Sequence, residues 1–268
     1  MINFMTLDDF LSVSDINHYK KESIIVRAFN PNYKESEPTR KEIIKKFLAK
    51  TCLGKLTEQE QIEKEVFEIY ENWYYEYSSS TNPQKKRTNK KIAHKLAKRF
   101  CSEYVAVSYL GGNITTPRSK VFYVGFGSGL WAYSCASLTH RETMAVDPSD
   151  AAYNSAQKVL MRFGPIDILK FEKKKLEEVT NDVREGDTLL TVHCGDGLYE
   201  LKKEMVDLAK SKNANCLFSV QYSCCIFSDT RPPNEQIEEK LTKLGIDSAD
   251  VACSRECGAI AYVLIKAR

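Results

Sequence analysis

An apolar run, Val121-Phe122-Tyr123-Val124, breaks into Gly125-Phe126-Gly127-Ser128-Gly129 and continues as a helix-compatible segment from Leu130 to Leu138. A second short apolar run, Thr143 to Val146, ends on a single acid, Asp147. This is a strand, a glycine turn, a helix and a second strand closing on a carboxylate. Gly125 and Gly127 let the backbone turn tightly and come close to a ligand, while Gly129 admits close helix–strand packing. A carboxylate at the end of the next strand stands where it can take the two hydroxyls of a ribose. The unit therefore points to a nucleotide-like cofactor.

Its spacing narrows the choice. Dinucleotide folds use Gly-x-Gly-x-x-Gly with helix N–H groups facing a pyrophosphate. Here the third glycine comes one residue early. Gly-x-Gly-x-Gly after an aliphatic strand resembles motif I of the class I methyltransferases that use S-adenosylmethionine. The resemblance implies that Gly125, Gly127, Gly129 and Asp147 bind this cofactor. In that family the residue after the third strand commonly contacts the adenine amino group, which by position implies Glu172; a plain surface acid is the alternative.

The rest of the C-terminal half alternates in the way a mainly parallel sheet with helices on both faces requires. Strands are expected at Val121–Gly125, Thr143–Asp147, Ile166–Phe171, Thr188–His193, Asn215–Tyr222, Ala249–Ser254 and Ala259–Lys266. Helices are expected at Leu130–Leu138, Ala151–Phe163, Lys173–Val183, Leu198–Lys210 and Asn234–Leu244. The last two strands, separated by Arg255-Glu256-Cys257-Gly258, read as an antiparallel hairpin. Seven strands closed by a hairpin is the class I methyltransferase count. The expected fold is thus α/β, a seven-stranded, mostly parallel Rossmann-like sheet, preceded by a mainly helical N-terminal extension.

The fourth strand ends in Thr191-Val192-His193-Cys194-Gly195-Asp196, and the fifth runs into Tyr222-Ser223-Cys224-Cys225. These resemble a methyltransferase branch with His-x-Cys-Gly-Asp-Leu and Pro-Cys-Cys at the same places, which includes tRNA 2′-O-methyltransferases. Here His193 and Cys194 are adjacent, Gly197 follows Asp196, and no proline precedes Cys224. A sulfonium methyl is already activated, so the protein has mainly to align the acceptor and, for a hydroxyl, remove its proton. Asp196 or His193 at the mouth of the fourth strand can do this, although a histidine hydrogen-bonded at a strand end has other uses. No Asn/Asp-Pro-Pro-Tyr/Phe motif follows that strand, which argues against amino methylation of adenine. His193-Cys194 also lacks the Pro-Cys or Thr-Cys signature of cytosine C5 chemistry.

Charge is unevenly placed. Residues 1–118 hold 20 Lys/Arg against 15 Asp/Glu, and residues 119–268 hold 19 against 21, for a total of +3. Between residues 85 and 99 there are eight Lys/Arg and no acid, with Ile92, Leu96 and Phe100 on one stripe. This reads as a helix with a cationic outer face, a surface that neutralises phosphates or is simply solvated. Lys85, Lys86, Arg87, Lys90, Lys91 and Lys95 are the candidate nucleic-acid contacts. Upstream, Ile62, Val66, Ile69, Tyr70 and Trp73 recur at helical spacing and read as a helix packed on the domain. Ser78 to Pro83 breaks the chain. The expected division is a helical extension over 1–82 and a methyltransferase domain over 83–268 that includes its leading basic helix.

No apolar run approaches the roughly 18 to 20 residues that span a bilayer, and no signal peptide is evident. Nine cysteines without a Cys-x-x-Cys pair read as reduced thiols, hence a cytoplasmic or nuclear setting and no metal site. The leading expectation is an S-adenosylmethionine-dependent methyltransferase acting on RNA, with a protein partner possible and no membrane. The alternatives are a protein or small-molecule methyltransferase, or a non-catalytic scaffold that kept the fold and regulates a partner enzyme.

Overall fold

The computed structural model describes residues 4–5, 107–108, 111–112, 114–116, 118–192, 199–221, 233–246, 252–257, 260–265 and 267. Strands are β1 (Phe4–Met5), β2 (Val121–Val124), β3 (Thr143–Val146), β4 (Leu169–Glu172), β5 (Thr188–Thr191), β6 (Asn215–Gln221), β7 (Ala252–Cys257) and β8 (Ile260–Ile265). Among the described residues the helices with defined bounds are α1 (Leu130–Thr139), α2 (Asp150–Phe163), α3 (Tyr199–Lys212) and α4 (Pro233–Lys243). One sheet takes the order β1-β7-β8-β6-β5-β2-β3-β4. Only β8 runs against its neighbours, β6 and β7; every other adjacent pair is parallel.

The central strands read as unbroken apolar runs because both faces of the sheet are covered. Val121, Phe122, Tyr123 and Val124 are all buried, as are Leu189 and Leu190 of β5. On one face Phe122, Val124, Leu189 and Phe218 meet Met205 and Val206 of α3 and Ile237 and Leu241 of α4. Right-handed crossovers from β2 to β3 and from β3 to β4 put α1 and α2 on the opposite face. The Tyr133 hydroxyl of α1 there donates to the carbonyls of Phe163 and Gly164 (3.1 and 3.0 Å), tying the helix to the end of α2.

Residues ahead of β2 share that second face. The Ser108 and Tyr123 hydroxyls are 3.3 Å apart, and Thr115 Oγ1 donates to Thr188 Oγ1 at 2.7 Å. The fit around Gly111-Gly112 is close. A Cβ on Gly111 would lie 2.6 Å from a Leu190 methyl, and one on Gly112 would lie 2.2 Å from Thr139 Oγ1. The base of the sheet is closed by the buried Asp187, whose carboxylate accepts the N–H groups of Lys120 and Arg184, both at 2.7 Å.

Several expectations need correction. Among the described residues the sheet has eight strands rather than seven, because Phe4–Met5 pairs in parallel with Cys253–Ser254 of β7. The rest of the 1–82 extension lies outside the described residues, so its helical character does too. The helix expected at Lys173–Val183 is only a 3₁₀ turn, Leu176–Glu178, followed by further i→i+3 turns. Glu178 reaches back to the Lys175 N–H at 2.7 Å, and the β-branched Val179 and Thr180, then Asn181 and Asp182, are poor helix formers. Leu176, Val179 and Val183 are nevertheless buried, since stacked tight turns place residues three and four apart on one side as a helix would.

The strand expected from Ile166 begins at Leu169, whose N–H bonds the Ile166 carbonyl at 2.9 Å and so makes a turn of the preceding residues. β7 runs on to Cys257, beyond the expected end at Ser254, while its expected start at Ala249 lies outside the described residues. Arg255 and Cys257 still pair with Ala261 and Ile260 across a bulge, so most of the supposed hairpin turn is strand. Among the described residues no helix is long and apolar enough to cross a membrane.

The Gly112 contact yields a measurable expectation. Gly112→Ala lowers unfolding free energy by about 1–3 kcal/mol, the usual cost of overpacking. In a Thr139→Ala background the same change costs clearly less in urea titrations. Equal costs in both backgrounds would show that Thr139 is not what crowds the site.

Candidate functional site

The carboxyl ends of β2, β3 and β4 carry the glycine turn, Asp147 and Glu172 side by side. Gly125, Gly127 and Gly129 all take positive φ (67°, 53° and 79°), a run that residues with a Cβ would resist. The Gly125 N–H still bonds the Val146 carbonyl (2.8 Å), so the turn begins with β2 held to β3. The Gly129 N–H then bonds the Phe126 carbonyl (2.9 Å), and α1 starts at Leu130.

Asp147 closes the turn from the side. Its Oδ2 accepts the Gly127 N–H at 3.1 Å, and its Oδ1 accepts the Ser149 N–H at 2.9 Å. Each oxygen has a second lone pair left for a donor from a ligand. Burial raises the Asp147 carboxyl above the usual aspartate range, and the two backbone N–H groups pull it back only in part. Ser149 caps α2 by accepting the Ala152 N–H at 3.3 Å, so the acid sits between a strand end and a helix start.

Gly129 serves packing first. A Cβ there would lie 2.8 Å from both Cα and Cβ of Ala156 and 3.3 Å from a Phe171 ring carbon. The sequence pointed to close helix–strand packing; the nearest neighbour is a second helix, α2, and the strand residue Phe171 comes next. Phe171 also meets Phe126 edge-on, with ring centroids 5.0 Å apart. The Ser155 hydroxyl of α2 donates to the Ser128 carbonyl at 3.2 Å. Sequence reasoning reached Ser149 and Phe171 only as bounds of the loops expected at the strand ends, and it passed over Ser155.

Glu172 is the last residue of β4. Its carbonyl accepts the Asp147 N–H at 3.2 Å, which places it next to the acid in the ladder. Its carboxylate pairs with Lys174, and Lys173 pairs with Asp150 at 2.5 Å. Glu172 therefore has to leave or share that partner to meet a ligand, a modest demand for a pair that is partly exposed to solvent.

The structure thus brings Gly125, Gly127, Gly129, Asp147 and Glu172 to one edge of the sheet. His193 and Asp196 lie outside the described residues; β5 ends at Thr191, with Val192 buried beyond it. Lys85, Lys86, Arg87, Lys90, Lys91 and Lys95 lie outside them as well. One residue that the sequence did not single out, Thr191, stands across the turn. Its Oγ1 lies 4.0 Å from where a Gly125 Cβ would be. Of the described cysteines, Cys135 and Cys216 are buried free thiols; burial pushes Cys135 up to about 12 and Cys216 higher, so neither is a nucleophile.

The sequence matches no protein family and no curated protein. Among solved structures it is similar to the ribosomal protein L11 methylase of Lactobacillus delbrueckii subsp. bulgaricus, with 17% identity, 62% of this chain and 79% of that one covered, and a TM-score of 0.44. It is also similar to the delta-N METTL16 MTase domain (14% identity, 63% and 83% covered, TM-score 0.46). A third is the S-adenosylmethionine-dependent methyltransferase SibL in its apo form (15% identity, 70% and 60% covered, TM-score 0.48). At these identities the function has to be read from the residues themselves.

The raised Asp147 carboxyl has a testable consequence. The cost of burying its charge is present in full above its folded pKa and gone below the unfolded value near 3.8. Wild-type stability relative to Asp147→Asn therefore rises as pH falls from 7 through the range just above 3.8. Paired urea titrations at pH 7 and about pH 4 read this difference, because groups common to both proteins cancel. A fall instead would mean that the two N–H bonds outweigh burial.

Proposed function

We propose that the chain is an S-adenosylmethionine-dependent methyltransferase that acts on RNA. The observation that carries the cofactor reading is the half-buried carboxylate of Asp147 braced against a turn of three left-handed glycines at the end of β2. A carboxylate with free lone pairs beside an open backbone turn suits a ribose diol better than a phosphate, which it would repel. The sheet supports the same reading, since parallel strands closed by an antiparallel β8 are the architecture that the motif resemblance implies.

The residues present fit such a cofactor. Asp147 would hold the ribose hydroxyls, the turn from Gly125 to Gly129 would let the cofactor lie against backbone, and Glu172 would reach the adenine edge. The cofactor supplies an activated methyl on sulfur. The chain has then to orient the acceptor, keep water away and receive a proton where the acceptor is a hydroxyl. We assign that proton to Asp196 or His193, which follow β5 at the adjoining strand end.

RNA is favoured by the stripe over residues 85–99, with Lys85, Lys86, Arg87, Lys90, Lys91 and Lys95 as phosphate contacts. The stripe belongs to the leading helix of a domain spanning 83–268, and residues 1–82 form the extension. A cytoplasmic or nuclear setting and a protein partner are compatible with this reading.

The test is transfer of labelled methyl from S-adenosylmethionine into an RNA pool by the full-length chain. Asp147→Ala abolishes transfer. A Lys85→Glu, Lys86→Glu, Arg87→Glu variant weakens RNA binding and lowers the slope of log K against log salt by about 2, three contacts at roughly 0.7 each on single strands. Transfer to protein or small molecules with none to RNA would refute the RNA assignment and leave the methyltransferase reading standing.

A further inference from the structure

β1 is only two residues long, yet it fixes where the N-terminus meets the sheet. Phe4 and Met5 pair in parallel with Cys253 and Ser254 of β7. β7 runs against β8, and β8 runs against β6, so β7 and β1 point the same way as β6, β5 and β2. The chain after Met5 therefore leaves at the carboxyl ends of the parallel strands. That is the rim that carries the glycine turn and Asp147.

The chain also enters the described core from that rim. Thr115 bonds Thr188 at the start of β5, a Cβ on Gly111 would meet Leu190, and the Ser108 hydroxyl is 3.3 Å from that of Tyr123. Tyr123 is level with Leu190, so from Thr115 back to Ser108 the chain climbs from the amino ends toward the carboxyl ends. The backbone at 107–108 and 111–112 is helical, and the step from Gly111 back to Val107 adds about 6 Å of climb. Val107 thus comes in from the side on which Met5 goes out.

The two points bracket one half of the rim. In the sheet order β1 stands four strand spacings from β5, about 19 Å, with β7, β8 and β6 between them. Asp147 and Glu172 belong to the other half, at the ends of β3 and β4. The cationic run 85–99 ends eight residues before Val107, a tether of at most about 29 Å when fully extended. We propose that the β1–β7 pair is a clasp for acceptor binding. It ties the N-terminus to the β7 side of the rim, so that RNA held ahead of Val107 lies over β5 to β7 while the cofactor keeps β2 to β4. The inference rests on the RNA reading above and adds to it the residues, Phe4 and Met5, that position the acceptor without touching the cofactor. Their pairing is made by main chain, so any strand former can replace them and proline cannot.

The experiment compares three full-length proteins by calorimetric titration with S-adenosylhomocysteine, by RNA binding across a salt series, and by methyl transfer to an RNA pool. The double variant Phe4→Pro, Met5→Pro loses the main-chain donors of β1. It keeps the wild-type affinity for S-adenosylhomocysteine and the wild-type slope of log K against log salt, because the cofactor half and the phosphate contacts are untouched. Its kcat/KM for RNA falls about 10- to 100-fold, as expected of a misplaced reactant. The double variant Phe4→Val, Met5→Val restores transfer to the wild-type rate. Undiminished transfer by the proline variant overturns the clasp. A parallel loss of cofactor affinity also overturns it, since β1 would then merely support the fold, and so does an equal loss of transfer in the valine variant. A wild type that binds the cofactor and transfers nothing to RNA overturns the RNA reading and the clasp together.

Discussion

Asp147 holds the end of β3 against the turn that leaves β2, and most of what the sheet edge can do depends on that contact. Its two oxygens accept the Gly127 and Ser149 N–H groups, at 3.1 and 2.9 Å. Bonds of this kind to a charged acceptor are worth about 1.5–3 kcal/mol each where solvent is scarce. Burial works the other way and raises the carboxyl. A charged group kept in a place that penalises its charge, with lone pairs to spare, is poised for donors from outside the chain.

The turn is also braced from behind. Gly129 lets α1 and α2 approach until Ala156 fills the space that a side chain would need, and Ser155 reaches the Ser128 carbonyl. Phe126 and Phe171 meet edge-on beneath the loop. These contacts lie on the face that α1 and α2 cover, whereas the larger hydrophobic cluster under α3 and α4 holds the opposite face.

Much of this could be read in the residues. Unbroken apolar runs such as Val121–Val124 gave the buried parallel strands, and the glycine triplet followed by Asp147 located the turn and its acid. What failed did so for physical reasons. Leu176, Val179 and Val183 have helical spacing, yet tight turns satisfy the same burial pattern, and β-branched and Asx residues settle the matter against a helix. Phe4–Met5 pair with a strand some 250 positions away, a contact that no local pattern encodes. The close fit of Gly111 and Gly112 depends on Leu190 and Thr139, which also lie outside any local pattern.

The central claim is that Asp147 holds the ribose of a nucleoside cofactor at the end of β2. Its most direct test is calorimetric titration of S-adenosylmethionine into the wild-type chain and into Asp147→Ala. Micromolar binding to the wild type, weakened at least about tenfold in the variant, is the predicted result, since charge-assisted bonds to the diol are lost. Equal affinity in the two proteins, or none in the wild type, would contradict it.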